Sequence, residues 1–470
     1  MIIYGQMSPD EPRQPRLSPA TTLRQMVPTL MPAPLESLGE IGAFYRDSLQ
    51  HLRGVDRIGE LRLSLEDAAE WNVPLKAFLF GHPGVGKTTE LANLLVRELS
   101  DRFQPLWIRL DSELNPPTLR HYDVLLLVLL RLIREATDPT LIGFEDHELG
   151  LLMRRVEDHL ATKWTKRLRV RQSEFSGGLS IPVLARLLAN LKQSNTREAG
   201  QQDYEVSFVS ELMDLSNEVV TECNRLLAKH RERQWVVVLE DSEKLGIPAG
   251  DLRDLFSGLR PYLQGLACHV VVTIPVWLRH SQDAVAILPP GFHQFDLTDI
   301  AVYREDHTPN EAAIAALTDI VLARADPGLF EAGVLRRGCI ASGGNIRDLF
   351  RLIRGAMLTA RLRRAGRISA ADLDSAVSSL RDDYKSQLGS TSPEEEREAG
   401  WDEKIAKLVA IYRRDDPAAE VPSPVLYALL RQRCVLKYNG RGWLGLHPLV
   451  VDLLIEFQKL EPGSPGGSVA

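Results

Sequence analysis

The run Gly81-His82-Pro83-Gly84-Val85-Gly86-Lys87-Thr88-Thr89 has the residue types and spacing needed to hold a polyphosphate. It fits G-x-x-x-x-G-K-[ST], the phosphate-binding loop called Walker A. Its glycines let the backbone curl until successive N–H groups converge on one anion. Lys87 brings a positive charge to the terminal phosphates, and the Thr88 hydroxyl is a ligand for Mg²⁺. A helix leaving the loop turns its positive N-terminus toward the same anion.

Chemistry on a nucleoside triphosphate also needs an acid for Mg²⁺ and a group that readies water for attack. Trp235-Val236-Val237-Val238-Leu239-Glu240-Asp241 ends an apolar run on two acids, the Walker B pattern. The usual order is Asp for the metal, then Glu or Asp for the water. Here Glu240 falls at the metal position and Asp241 at the water-orienting position. A one-residue slip would put Asp241 on the metal instead. The expected metal set is therefore Thr88, Glu240 and Asp241, and the short reach of Asp241 predicts slow hydrolysis. Thr273, near the end of His269-Val270-Val271-Val272-Thr273-Ile274-Pro275, stands where a polar side chain senses the γ-phosphate.

Strands and helices must bring these residues together. Leu75 to Phe80 is apolar and β-prone, so it predicts a strand feeding the loop, and Thr88 to Val96 has helical spacing. Pro105 to Asp111 predicts a second strand and Thr118 to Ala136 an apolar helix. The runs ending at Asp241 and Pro275 are apolar throughout, which suits strands buried on both faces of a parallel sheet. A helix at about Asp251 to Leu266 separates them, and His293 to Leu297 predicts a fifth strand. Alternating strands and helices give an α/β domain, with ligands bound beyond the C-terminal strand ends. The phosphate loop, Glu240-Asp241 and Thr273 all fall there.

Residues 1 to 35 are Pro-rich and predict a disordered leader. Residues 137 to 232 predict an insertion of polar helices and hold a basic run, Lys163 to Arg171. From 306 to 385 the pattern is all helical, 386 to 460 predicts a small third unit, and 461 to 470 a disordered tail. A chain of 470 residues with 44% apolar and 25% charged residues holds two or three ordinary globular domains. Its net charge of −7 excludes a polycation, so any nucleic-acid contact requires a local basic patch. The four cysteines form no C-x-x-C pair, which predicts buried thiols in a reducing cytoplasm. The N-terminal residues lack the pattern of a signal peptide, and the longest apolar run, Val124 to Leu130, is too short to span a membrane.

Taken together, these residues resemble the AAA+ ATPases, in their initiator-like and STAND-like branches. The resemblance implies an α/β fold: a P-loop NTPase core with a parallel sheet (36 to 305), an all-helical lid and a small winged-helix domain. In Ser342-Gly343-Gly344-Asn345-Ile346-Arg347, Arg347 matches the sensor 2 arginine of the lid, which reaches over the nucleotide. At the C-terminus, Pro422 to Gln432 predicts a helix. Asn439-Gly440-Arg441-Gly442 between two apolar runs signals a hairpin, and together they resemble a winged helix. Arg431, Arg433, Lys437 and Arg441 make that unit locally basic, which suits duplex DNA, although winged helices also dock proteins. An arginine finger from a neighbouring subunit of a homo-oligomer is expected, with Arg279 or Arg260 as the matching position.

The expected function is a molecular switch driven by ATP and Mg²⁺, coupled to DNA or to a separate effector protein. The alternative is a nucleotide-gated scaffold or DNA-binding regulator with negligible turnover, and a third is a small-molecule kinase. No residue selects ATP over GTP; that preference comes with the resemblance.

Overall fold

The computed structural model describes residues 17–115, 119–144, 147–164, 181–193, 202–246, 249–280, 291–389, 399–438 and 443–468. Five strands form one parallel sheet: β1 Lys76–Gly81, β2 Phe103–Arg109, β3 Gln234–Glu240, β4 His269–Pro275 and β5 His293–Asp296. Their spatial order is β2-β3-β4-β1-β5. The strand carrying the phosphate loop thus lies between β4 and β5, distant partners in sequence, and a ligand crevice is expected at such a switch point.

Strand parity explains why the apolar runs are continuous. In β3, Val236 and Val238 face one core and Trp235, Val237 and Leu239 the other. Ala77 and Leu79 in β1 join the first core, with Phe78 and Phe80 on the opposite face. The first core is covered by helix Arg57–Glu70, through Ile58, Leu61 and Leu65, and by the helix leaving the phosphate loop, through Leu91, Leu94 and Leu95. The second is covered by helix His121–Thr137. Burying one such Leu or Val stabilises the fold by about 1.5–3 kcal/mol. The same parity sends Glu240 and Thr273 to the face of the loop helix, so the sheet register places both beside the phosphate loop.

The 137–232 segment supplies helices His147–His159, Ile181–Gln193 and Gln202–Arg231. Leu149, Val156, Leu184, Leu187 and Leu212 join them to the second core. Most of the basic run, from Thr165 to Arg171, lies outside the described residues. Helices Glu311–Leu322, Val334–Ala341, Ile346–Leu362 and Ala370–Gly389 form the all-helical part. Helices Trp401–Arg413, Pro424–Arg431 and Pro448–Glu456 surround an antiparallel hairpin of β6 Val435–Lys437 and β7 Leu444–Leu446. The turn Asn439 to Gly442, and Arg441 with it, lies outside the described residues.

Both chain ends depart from expectation. From Leu17 the leader is folded: Ala20 bridges to Ala325, and Met26 and Leu30 are fully buried. A capping box between Ser37 and Glu40 then starts helix Leu38–Phe44. Near the other end the Tyr303 hydroxyl donates to the Gly467 carbonyl at 2.7 Å, and Ser468 bonds Asp452. Proline content signalled disorder, but these segments find apolar and hydrogen-bonding partners in the lid and the C-terminal unit. All four cysteines are free and buried. Among the described residues no helix is long and apolar enough to cross a membrane.

Candidate functional site

The phosphate loop leaves β1 at Gly81 and enters helix Lys87–Ala92 through Gly86, whose φ of 107° requires glycine. No side chain caps this helix, which leaves its first N–H groups for an anion. Thr88 Oγ1 donates to Glu240 Oε1 at 2.8 Å, and Glu240 is 1% exposed. Its second oxygen, Oε2, is buried without a partner. Burial pushes the Glu240 carboxyl up to about 7, against the Thr88 hydrogen bond, which pulls it down. Of the two strand-end acids, Glu240 is therefore the one beside Thr88.

Asp241 is turned elsewhere. Its backbone is left-handed, with φ of 62°, and its carboxylate accepts a 2.7 Å ion pair from Lys244. The same turn brings back an acid that strand-end reasoning missed. Glu243 Oε1 lies 3.3 Å from Lys87 Nζ, which also donates to the carbonyls of Gly81 and His82 at 3.1 and 3.3 Å. Ser242 ties this turn to β4 by donating to the Thr273 carbonyl at 3.4 Å.

Lys87, Thr88, Asp241, Glu243, Lys244 and Thr273 line a cleft enclosing about 1100 Å³, part of it open to solvent. Gly84, Gly86, Thr89 and Arg347 belong to the same lining. The lining also holds apolar residues, among them Pro32, Pro34, Leu35, Phe44, Leu49, Ile320, Ile346 and Phe350. The leader therefore forms one lip of the cleft. It is held there by the Leu35 N–H, which donates to Thr89 Oγ1 at 3.1 Å, and by an ion pair between Glu36 and Arg109. The Arg324 guanidinium, also on the lining, lies 4.6 Å from the Phe350 ring centre and 5.3 Å from that of Phe44. Burial lowers it to about 10.

The remaining loop residues brace the loop and lie off the cleft lining. His82 Nδ1 sits 2.6 Å from Asp299 Oδ2, both side chains fully buried. Asn345 Nδ2 donates to the Pro83 carbonyl at 3.1 Å and to Asp299 Oδ1 at 2.9 Å. Asn345 also caps the lid helix Ile346–Leu362 by accepting from the Asp348 N–H. Arg53 donates to the Val85 carbonyl at 2.8 Å. A Cβ on Gly84 would lie 2.4 Å from Arg347 Cβ, so the lid rests directly on the loop. Burial holds the Arg347 guanidinium below its usual range, and the nearby charge of Arg433 adds to this. Burial alone would raise Asp299, but His82 and Asn345 hold it below the usual carboxylate range.

Two residues expected to face DNA are used internally. Arg433 Nη1 lies 3.0 Å from Asp348 Oδ2, and Nη2 donates to Oδ1 at 3.3 Å. Lys437 pairs with Asp296 at 3.1 Å. The side chains of Arg433 and Lys437 are each 11% exposed, so neither forms a phosphate-contacting surface. The same Asp296 pairs with Arg279 at 2.5 Å, which engages that arginine-finger candidate within its own chain.

The residues present fit a nucleotide with a divalent cation. Among the described residues no group of three or more His, Cys, Asp or Glu side chains is placed to hold a metal ion unaided. Mg²⁺ asks for less: one or two protein oxygens, completed by phosphate and water oxygens. The Thr88 hydroxyl and the orphaned oxygen of Glu240 supply that set.

No protein-family model matches this chain, and no curated protein matches its sequence. Among solved structures it is similar to the Aeropyrum pernix ORC1 protein in complex with DNA, at 14% identity over 93% of this chain and 96% of that one, TM-score 0.40. It is similar to Drosophila ORC bound to DNA at 12% identity, over 99% and 86%, TM-score 0.39. It is also similar to the Thermotoga maritima RuvB Holliday junction branch migration motor at 13% identity, over 92% and 99%, TM-score 0.37. At such values the functional reading has to come from the site's own geometry.

Proposed function

We propose that this protein is an AAA+ type molecular switch that binds ATP with Mg²⁺ between its sheet and its helical lid. The observation that carries this reading is the 2.8 Å contact between Thr88 and Glu240, inside a phosphate loop that touches the lid at Gly84. In this reading the loop N–H groups and Lys87 bind the phosphates, and Thr88 and Glu240 hold the cation. Bound Mg²⁺ would neutralise charge developing on the transferred phosphoryl group. Thr273 and Arg347 border the terminal phosphate from the sheet and from the lid. Phe44 and Phe350 flank the base, with Arg324 beside both rings. The lid shares Asn345 with the loop and Asp348 with Arg433 of the C-terminal unit. A change at the phosphates therefore has a bonded route to that unit, whose proposed partner is duplex DNA or a separate effector protein.

A second reading, a nucleotide-gated scaffold with negligible turnover, is favoured by one observation. Asp241, the residue expected to orient water, is held by Lys244. ATP affinity and hydrolysis of the wild type and of Lys87→Ala, each with and without duplex DNA, separate the two. Loss of charge-assisted contacts to the phosphates, about 1.5–3 kcal/mol, predicts roughly 10- to 150-fold weaker ATP binding in Lys87→Ala. Unchanged affinity would remove the nucleotide site from this loop. Tight binding without turnover selects the scaffold, and DNA-stimulated turnover selects the switch.

A further inference from the structure

Resting on the nucleotide-site reading, we infer that Glu243 is the residue that registers a terminal phosphate in this cleft, at a cost in affinity that falls more heavily on a triphosphate than on a diphosphate. It does so by occupying Lys87 until a terminal phosphate displaces it.

Lys87 Nζ has three N–H donors and three acceptors in place: the carbonyls of Gly81 and His82 and the Glu243 carboxylate. The side chains of Lys87 and Glu243 are 7% and 10% exposed, so water screens the pair little. The other Glu243 oxygen, Oε2, is buried without a partner in a residue that lines the cleft. A carboxylate so placed opposes a phosphate oxygen approaching Lys87 and gives up its ion pair when that oxygen arrives. The lysine of such a loop reaches the β- and γ-phosphates, so a diphosphate brings one phosphate group to Lys87 and a triphosphate two, and the diphosphate competes with Glu243 less. Glu243 sits in the short turn Ser242–Lys244, which Ser242 joins to the Thr273 carbonyl and Lys244 joins to Asp241. Displacing Glu243 therefore pulls on the backbone that carries both strand-end candidates, Asp241 and Thr273. Asp241 does not compete for the role, because its carboxylate is turned to Lys244.

The test is the dissociation constant of ATP and of ADP, with Mg²⁺ and with EDTA, for the wild type, Glu243→Gln, Glu243→Asp and Lys87→Ala. Without the competing carboxylate, ATP should gain more than ADP. The ADP-to-ATP ratio of dissociation constants should rise about tenfold in Glu243→Gln, at the low end of typical coupling between sites. Glu243→Asp, which keeps the charge on a shorter arm, should fall between. It carries the test should the glutamine variant fail to fold. An unchanged ratio, or weaker ATP binding in Glu243→Gln, overturns the assignment while Lys87→Ala still weakens ATP binding. If Lys87→Ala also binds normally, the nucleotide site itself has been misplaced, and the inference falls with it.

Discussion

Arg433 separates a structural account of the C-terminal unit from a DNA-contact account. Its guanidinium spans both oxygens of Asp348, whose side chain is 0% exposed. The Tyr384 hydroxyl donates to the same carboxylate at 2.8 Å, and His447 Nε2 lies 3.9 Å away. Burial alone would raise Asp348; Arg433 is the first of the neighbours that hold it below its usual range. Replacing Arg433 by Ala leaves a buried carboxylate facing a hydroxyl, a buried imidazole and the partly exposed Arg351 at 3.5 Å. Removing one partner of a buried pair costs about 3–5 kcal/mol. At about 2–4 °C per kcal/mol for a cooperative unit of 150–250 residues, melting of the lid and C-terminal unit should fall by about 6–20 °C. Arg433→Lys keeps the charge but loses the fork, and should recover only part of the loss. The assay is thermal unfolding of both variants together with a cycle against Asp348→Asn. The pair should show a coupling energy above about 1 kcal/mol. A DNA-contacting Arg433 predicts the opposite pattern, with an unchanged melting point and a lower salt dependence of DNA binding. A melting shift under about 1 °C with negligible coupling to Asp348 would refute the structural account.

Two further outcomes follow from the same geometry. Gly84→Ala places a side chain on a backbone of φ 87°, against Arg347 and Asn345, so it adds strain of about 1–3 kcal/mol to a direct clash. The lid should become more protease-sensitive and ATP binding should weaken; wild-type digestion and affinity would show that the lid does not rest on the loop. Acid should also destabilise the core through His269. Its Nδ1 accepts from the Leu75 N–H at 3.0 Å, its Nε2 faces the Gln234 amide oxygen, and burial lowers it to about 4. Because the unfolded chain takes up that proton first, the contribution is complete above pH 6.5. About 3 kcal/mol is then lost as pH falls toward 4. Unfolding free energy measured across that range should flatten in His269→Gln, and an unchanged slope would exclude the residue as a source.

The legible parts of this chain are those fixed by local pattern. The runs ending at Glu240 and Pro275 are apolar throughout because both faces of β3 and β4 are covered, and their parity then sets Glu240 beside Thr88. Glu243 was not legible, because its return to Lys87 depends on a left-handed backbone at Asp241 that no local pattern announces. Arg433 and Lys437 were legible as charges but not as buried ones, since their partners Asp348 and Asp296 are far away in sequence. Asn345 stands in the same lid pattern as Arg347. An asparagine at a helix start reads as a cap, and nothing local shows that its amide also bonds the loop. The leader misled for a related reason. Pro32 and Pro34 lower the expectation of order, whereas their rigid backbone needs little further ordering to form a cleft lip.

Asp299 gives a physical reason to expect two discrete arrangements of loop and lid, with no continuous series between them. Its two oxygens are both used, one by His82 of the loop and the other by Asn345 of the lid. Its N–H donates to the Lys437 carbonyl at 3.1 Å, at the end of β6. Loop, lid and C-terminal hairpin thus meet on one buried residue. A small shift of the loop stretches a bond to a carboxylate that water does not reach, and an uncompensated buried charge costs several kcal/mol. The arrangement is therefore stable until another interaction replaces the lost one, after which the lid has no reason to stop part-way. A phosphate drawing Lys87 from Glu243 acts within the same short loop as His82. The proposed nucleotide signal thus enters this network a few residues from its centre.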